Sequence, residues 1–237
     1  MIEERSPIMD HLEELRWRLV KSAAGVALGS VIAFFFHEQL LAFLTQPYDQ
    51  VVGDDGLVFT EPTEAFSVVM RVSLLGGVLL ASPVLIYQTW AFVSPALTLR
   101  ERRYVLPLVG LLAILFWSGV AFAYWSLTRA LEFLLTFGGE SLRALITIRS
   151  YLSFATRFLL VFGFAFEFPV FIFAAALVGM VSSAQLARGR RWAVLVIVIV
   201  GAIITPSGDP LTLAVLSVPL YLLYEGTIWV VRLGLNR

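Results

Sequence analysis

Residues 192–231 read WAVLVIVIVGAIITPSGDPLTLAVLSVPLYLLYEGTIWVV. Two almost wholly apolar runs flank the hexapeptide TPSGDP at 205–210. Proline and glycine at this density cannot continue a helix, so the stretch predicts two helices joined by a tight turn. The second run, 211–231, is long enough to cross about 30 Å of hydrocarbon, which takes roughly 20 residues. The first, 192–205, is about 21 Å long at 1.5 Å per residue, too short for an undistorted bilayer. It predicts local thinning of the bilayer or cover by a partner.

Four longer apolar runs precede this hairpin, at 20–36, 65–93, 104–127 and 151–178. The chain as a whole is 59% hydrophobic and 14% charged, about half the usual charged fraction of soluble domains. So much apolar surface needs lipid to cover it. The expectation is an all-α membrane protein with six transmembrane helices and a single polytopic domain over 1–237. Residues 37–64 would form an acidic outer cap loop carrying Glu38, Asp49, Asp54, Asp55, Glu61 and Glu64. With the N-terminus inside, twelve Lys and Arg fall in inner segments and three, Arg129, Arg143 and Arg149, in outer ones. That asymmetry predicts both termini in the cytoplasm.

Other chemistries find little support. The 17 basic and 17 acidic residues balance, which gives no case for nucleic acid. There is no cysteine, and His11 and His37 lie on opposite sides of the first span, so neither a thiol nucleophile nor a metal site is expected. No H-E-x-x-H, serine-nucleophile elbow or phosphate loop occurs, and an enzyme is not expected. The first twenty residues are charged and do not resemble a cleavable signal peptide.

A few charged residues need an explanation. Residues 1–19 read as an amphipathic helix leading into the first span, with Leu12, Leu15 and Leu19 on one face and Glu14 four residues before Arg18. Thr98 and Glu101 fit a capping box opening the third span. A capping carboxylate keeps spare acceptor capacity, and Glu14 and Glu101 on one membrane face could accept two guanidinium groups. Glu167 lies mid-span among aromatics, where a carboxyl is either functional or hydrogen-bonded to another helix, for example to Gln88. Pro169 predicts a bend beside it. Turn chemistry accounts for Asp209, and Glu225 is expected to pair with Arg232 or Arg191.

Several segments together carry a resemblance: HLEELRWRL at 11–19, FTEPTEAF at 59–66, YQTWAFVSPAL at 87–97 and ERR at 101–103. SYLSF at 150–154, FAFEFPV at 164–170, ITP at 204–206 and PLYLLYE at 219–225 extend it. In this order the chain resembles the TatC family of the twin-arginine protein translocase. The resemblance implies a cupped, concave six-helix bundle with short fifth and sixth helices in the bacterial plasma membrane. It implies binding of the twin-arginine signal peptides of folded cargo at the cytoplasmic face, with export driven by the proton-motive force and no cofactor. The glutamates for the arginine pair fall on Glu14 and Glu101, with Phe92, Pro95 and Leu97 beside them. The buried glutamate of the groove falls on Glu167, and sensitive outer positions fall on Pro47 and Asp209. TatA-type and TatB-type single-span subunits are implied along the last two helices, near Ile203, Thr205 and Thr212, with self-association in a larger complex. The rival reading is a secondary transporter or proton-coupled channel using Glu167.

Overall fold

The computed structural model describes residues 7–53, 57–93, 105–137, 145–204 and 209–235. Pro95, Leu97, Glu101 and Thr205, and with them the capping box at 98–101, lie outside the described residues. The helices are α1 (Pro7–Phe35), α2 (His37–Val52), α3 (Glu64–Val93), α4 (Val105–Thr136) and α5 (Ile148–Ala165). They continue as α6 (Phe168–Leu177), α7 (Ser183–Arg188), α8 (Arg190–Ile204) and α9 (Pro210–Leu235). Extended pairing among the described residues is confined to one isolated parallel bridge, Val58 to Thr147.

Five described helical stretches are long and apolar enough to cross a membrane: α1, α3, α4, α5 with α6, and α9. The protein is therefore a multi-pass membrane protein. α8 is 15 residues long, the short helix that the opening stretch predicted. The segment expected as an outer loop is helical over its first 16 residues, as α2. α4 runs nine residues past its expected end, because 128–136 contains no breaker before the two glycines at 138 and 139.

The chain divides into two compact units. The first comprises Met1–Leu40 and Val69–Ala113. There α1 and α3 touch along small residues. Gly25 faces Ala81 and Val84, and Gly29 lies against the Gly77 backbone, so that an added Cβ on Gly29 would sit 2.7 Å from the Gly77 carbonyl oxygen. Small residues let membrane helices approach closely where lipid removes the hydrophobic drive for association.

The second unit comprises Leu41–Val68 and Ile114–Arg237. Its core is aromatic: Phe116 of α4 and Phe158 and Phe162 of α5 are fully buried. α4 and α5 interlock reciprocally, Gly119 lying under Phe162 and Phe166, and Gly163 under Phe116 and Val120. The bend predicted at Pro169 is a break between α5 and α6, with Glu167 at the N-cap position and Pro169 in the first turn. α8 and α9 pack as a hairpin, and α6 also packs on α9.

Candidate functional site

Glu14 lies on α1, six residues before the expected membrane entry at Val20, and is half-exposed. Arg18, one turn on, donates from Nε to Glu14 Oε1 at 3.0 Å and bonds the same oxygen through Nη2. This is the i,i+4 pair expected from the sequence. The Arg18 guanidinium, chiefly by hydrogen bonding, holds the Glu14 carboxyl below the usual carboxylate range. Arg18 also reaches Gln88 Oε1 on α3 at 3.4 Å. Gln88, suggested from the sequence as a partner for Glu167, accepts this bond from Arg18 within its own unit.

The other oxygen, Glu14 Oε2, is 3.7 Å from His11 Nδ1. The His11 ring stacks on Phe92 at 4.4 Å with planes 18° apart. Phe92 and Gln88 are one turn apart on α3, so two residues of that helix hold α1 from both ends of the Glu14 turn. The fold therefore brings Glu14 and Phe92 of the expected site into one cluster. It adds Arg18, the expected partner of Glu14, together with His11 and Gln88, to which the sequence gave no role at this site. The signal was available, since His11, Glu14 and Arg18 share one helix face at i, i+3 and i+7 spacing.

Glu167 is 8% exposed, and its Oε1 has no hydrogen-bond partner among the described residues. It is not among the residues lining the groove beside α8, although its neighbours Phe164, Ala165 and Phe168 are.

Pro47 is buried inside α2. Having no N–H, it leaves the Phe43 carbonyl without its helical donor. Tyr124 of α4 fills that place, its hydroxyl 2.9 Å from Phe43 O and its ring stacked on Phe43 at 4.1 Å. Tyr151 of α5 donates to the next carbonyl, that of Leu44. Nearby, the Glu64 carboxylate is 1% exposed and ties three backbone segments together. It accepts from Thr60 N at 2.8 Å and Thr60 Oγ1 at 3.1 Å on one oxygen, and from Arg149 N at 3.0 Å on the other. The sequence offered Glu64 only as one of several loop acids.

At the last turn Asp209 caps α9, accepting from Thr212 N at 2.8 Å. Thr212 is 0% exposed, with Oγ1 unpartnered among the described residues, whereas Ile203 is 78% exposed. Glu225 pairs with neither Arg232 nor Arg191 but with Arg190, in a fork of 2.6 Å and 3.0 Å completed by the Tyr221 hydroxyl at 2.9 Å. The hairpin sets that choice, because Arg190 opens α8 opposite Glu225 on α9.

The family model described as Sec-independent protein translocase protein (TatC) matches residues 10–219. The chain belongs to the TatC family. The TatC protein of Desulforapulum autotrophicum is 42% identical over 228 residues, covering 95% of this chain and 84% of its own. The TatC protein of Carboxydothermus hydrogenoformans is 35% identical, covering 98% and 95%. A crystal structure described as the twin arginine translocase receptor TatC in DDM matches with TM-score 0.81 and 35% identity, covering 93% of this chain and 99% of that one. As a TatC protein the chain is a membrane-embedded subunit of the Tat protein translocase, a transport component and not an enzyme.

Proposed function

We propose that this TatC protein is the receptor for twin-arginine signal peptides, accepting the arginine pair on Glu14 and Glu101 at the cytoplasmic face. The observation that carries the reading is that Glu14 already binds a guanidinium, that of Arg18, through one oxygen. Among the described residues the second oxygen meets His11, at a longer 3.7 Å. A planar guanidinium matches a carboxylate in geometry as well as charge, so an incoming arginine can use Oε2 or displace Arg18. Phe92, fixed by its stack on His11, supplies an apolar wall beside the carboxylate. By the family resemblance Pro95 and Leu97 also take part in recognition, and Glu101 takes the second arginine.

In this reading the chain has six spans in the bacterial plasma membrane, the sixth count coming from α8. Both termini are cytoplasmic, as the distribution of Lys and Arg requires. The apolar part of the signal enters the membrane near Glu167, and the proton-motive force drives export. α8 exposes apolar side chains on most of its circumference, Trp192, Leu195, Ile199 and Ile203 among them. Such a helix needs lipid or another helix around it. TatA-type and TatB-type subunits pack there, at Ile203 and Thr205, Thr212 being buried behind the exposed surface, and the receptor self-associates in the assembled translocase. Pro47 and Asp209 act at the outer side by shaping α2 and capping α9.

The test is site-specific crosslinking from positions 14 and 101 to a signal peptide carrying Arg-Arg or Lys-Lys, with export measured in parallel. Arg-Arg peptide should crosslink and Lys-Lys peptide should not, and the double variant Glu14→Gln/Glu101→Gln should lose both crosslinking and export. Normal export by the double variant would end the receptor reading.

A further inference from the structure

Arg157 has no place in the reading above. It is an exposed side chain on α5, and it makes no hydrogen bond, ion pair or ring contact with any described residue. It lines a groove of about 570 Å³ between α5, α6, α8 and α9, whose other walls are apolar: Val161, Phe164 and Phe168 on one side, Val200 and Leu216 on the other. No acidic side chain lines it. A guanidinium beside apolar walls in a membrane-spanning helix requires an anion or water, and these walls offer water nothing to bond.

Position decides what kind of anion. Arg157 lies nine residues along α5 from Ile148, about 14 Å into that helix. Arg157 is the groove residue nearest the start of α5, and Gly201, three residues from the end of α8, is the one nearest the turn of the short hairpin. α8, at about 22 Å, is some 8 Å shorter than a normal hydrocarbon core, so lipid headgroups beside it must dip. From Arg157 to Phe168 is eleven residues, about 16 Å, close to the roughly 15 Å depth of one leaflet. The α5–α6 stretch, Ile148–Leu177, is 30 residues or about 45 Å long and overhangs a hydrocarbon core of about 30 Å by about 7 Å at each end. Arg157 therefore lies about 6 Å below the hydrocarbon edge, within the dip beside α8 and the reach of its own stem, at the head of an apolar track one acyl chain long.

We propose that this groove holds an anionic glycerophospholipid of the outer leaflet, its phosphate on Arg157 and an acyl chain along Val161, Phe164 and Phe168. Arginine matches phosphate oxygens with two parallel N–H donors, and its long stem lets the head reach the headgroup plane. The bound lipid would fill the space between α5 and the hairpin. The inference does not depend on the arginine-pair reading, since neither Glu14 nor Glu101 takes part.

Native mass spectrometry of the purified full chain tests it, with phosphatidylglycerol, diacylglycerol and glycerophosphoglycerol as probes. The wild type should take up one tight phosphatidylglycerol, and Arg157→Gln should bind it about tenfold or more weakly. Arg157→Lys should keep most of the affinity, and diacylglycerol should bind wild type no better than phosphatidylglycerol binds Arg157→Gln. A phosphatidylglycerol with a photoreactive acyl chain should label residues 157–171 in wild type, a readout that needs no variant to fold. Equal affinity for wild type and Arg157→Gln overturns the proposal. So does competition by glycerophosphoglycerol as strong as by the lipid, which would mark a plain anion site. A wild type that binds no lipid but forms a dimer lost in Arg157→Gln overturns it too, in favour of an interface between copies.

Discussion

Replacing Gly77 by alanine should drive α1 and α3 apart. A Cβ at Gly77 would overlap Ser30 Oγ and sit 2.6 Å from Ser30 N and 2.7 Å from Ser30 Cα. The hydroxyl can rotate away, but the backbone atoms cannot. Ordinary contact is about 3.5 Å, so α1 must retreat by about 0.9 Å at this point. Overpacking of this kind costs about 1–3 kcal/mol, and the helix preference of Ala over Gly returns up to about 1 kcal/mol. The expected net loss is about 1–2 kcal/mol. The control is Gly110→Ala on α4, where the new Cβ meets nothing within 4 Å, so the propensity gain of about 0.5–1 kcal/mol stands alone. The displacement should also break the Arg18–Gln88 bond, already at 3.4 Å, and loosen the Glu14 cluster. The assay is reversible unfolding in mixed micelles, with signal-peptide crosslinking from position 14 as a second readout. If both variants shift stability in the same direction, the close α1–α3 contact is not what holds these helices together.

Three further predictions concern other contacts. Tyr151→Phe removes the hydroxyl that donates to Leu44 O while keeping the buried ring, and should cost about 1 kcal/mol in the same unfolding assay. Asp209→Ala should destabilise by about 0.5–2 kcal/mol through loss of the α9 cap, while Asp209→Asn should stay close to wild type, both read by unfolding. Arg18 lowers the Glu14 pKa, so the carboxylate stays charged down through the usual range, and the pair is lost only as pH falls through the lowered value. Arginine-peptide binding measured against pH should therefore fade at higher pH in Arg18→Gln than in wild type, and coincident profiles would refute this.

Much of the fold was legible because membrane helices advertise themselves. The short α8 and the turn before α9 follow from thirteen apolar residues, 192–204, running into TPSGDP, and the break at Glu167 follows from Pro169 lacking an N–H. The Glu14–Arg18 pair is a same-helix spacing, readable without any tertiary knowledge. The G-x-x-x-G at Gly25 and Gly29 was equally present in the sequence and marks the α1 face that meets α3, yet charge and hydropathy alone pass over it. Partners far apart in sequence were not legible. Glu225 had three arginines within reach of a guess, and only the α8–α9 packing selects Arg190.

By itself the sequence determined the environment, the helices and the residues able to meet a guanidinium, since these depend on composition and on periods within one helix. The tertiary structure decided which groups meet. It put Phe92 and Gln88 around His11, Glu14 and Arg18, gave the carbonyl freed by Pro47 to Tyr124, and left Arg157 facing an apolar groove. The physical reason is that lipid exposure rewards any apolar surface alike, so hydropathy specifies that a helix is in the membrane but not which face it turns to a neighbour. That face is set by close contacts of small residues and by hydrogen bonds between helices, which are visible only once the helices are packed.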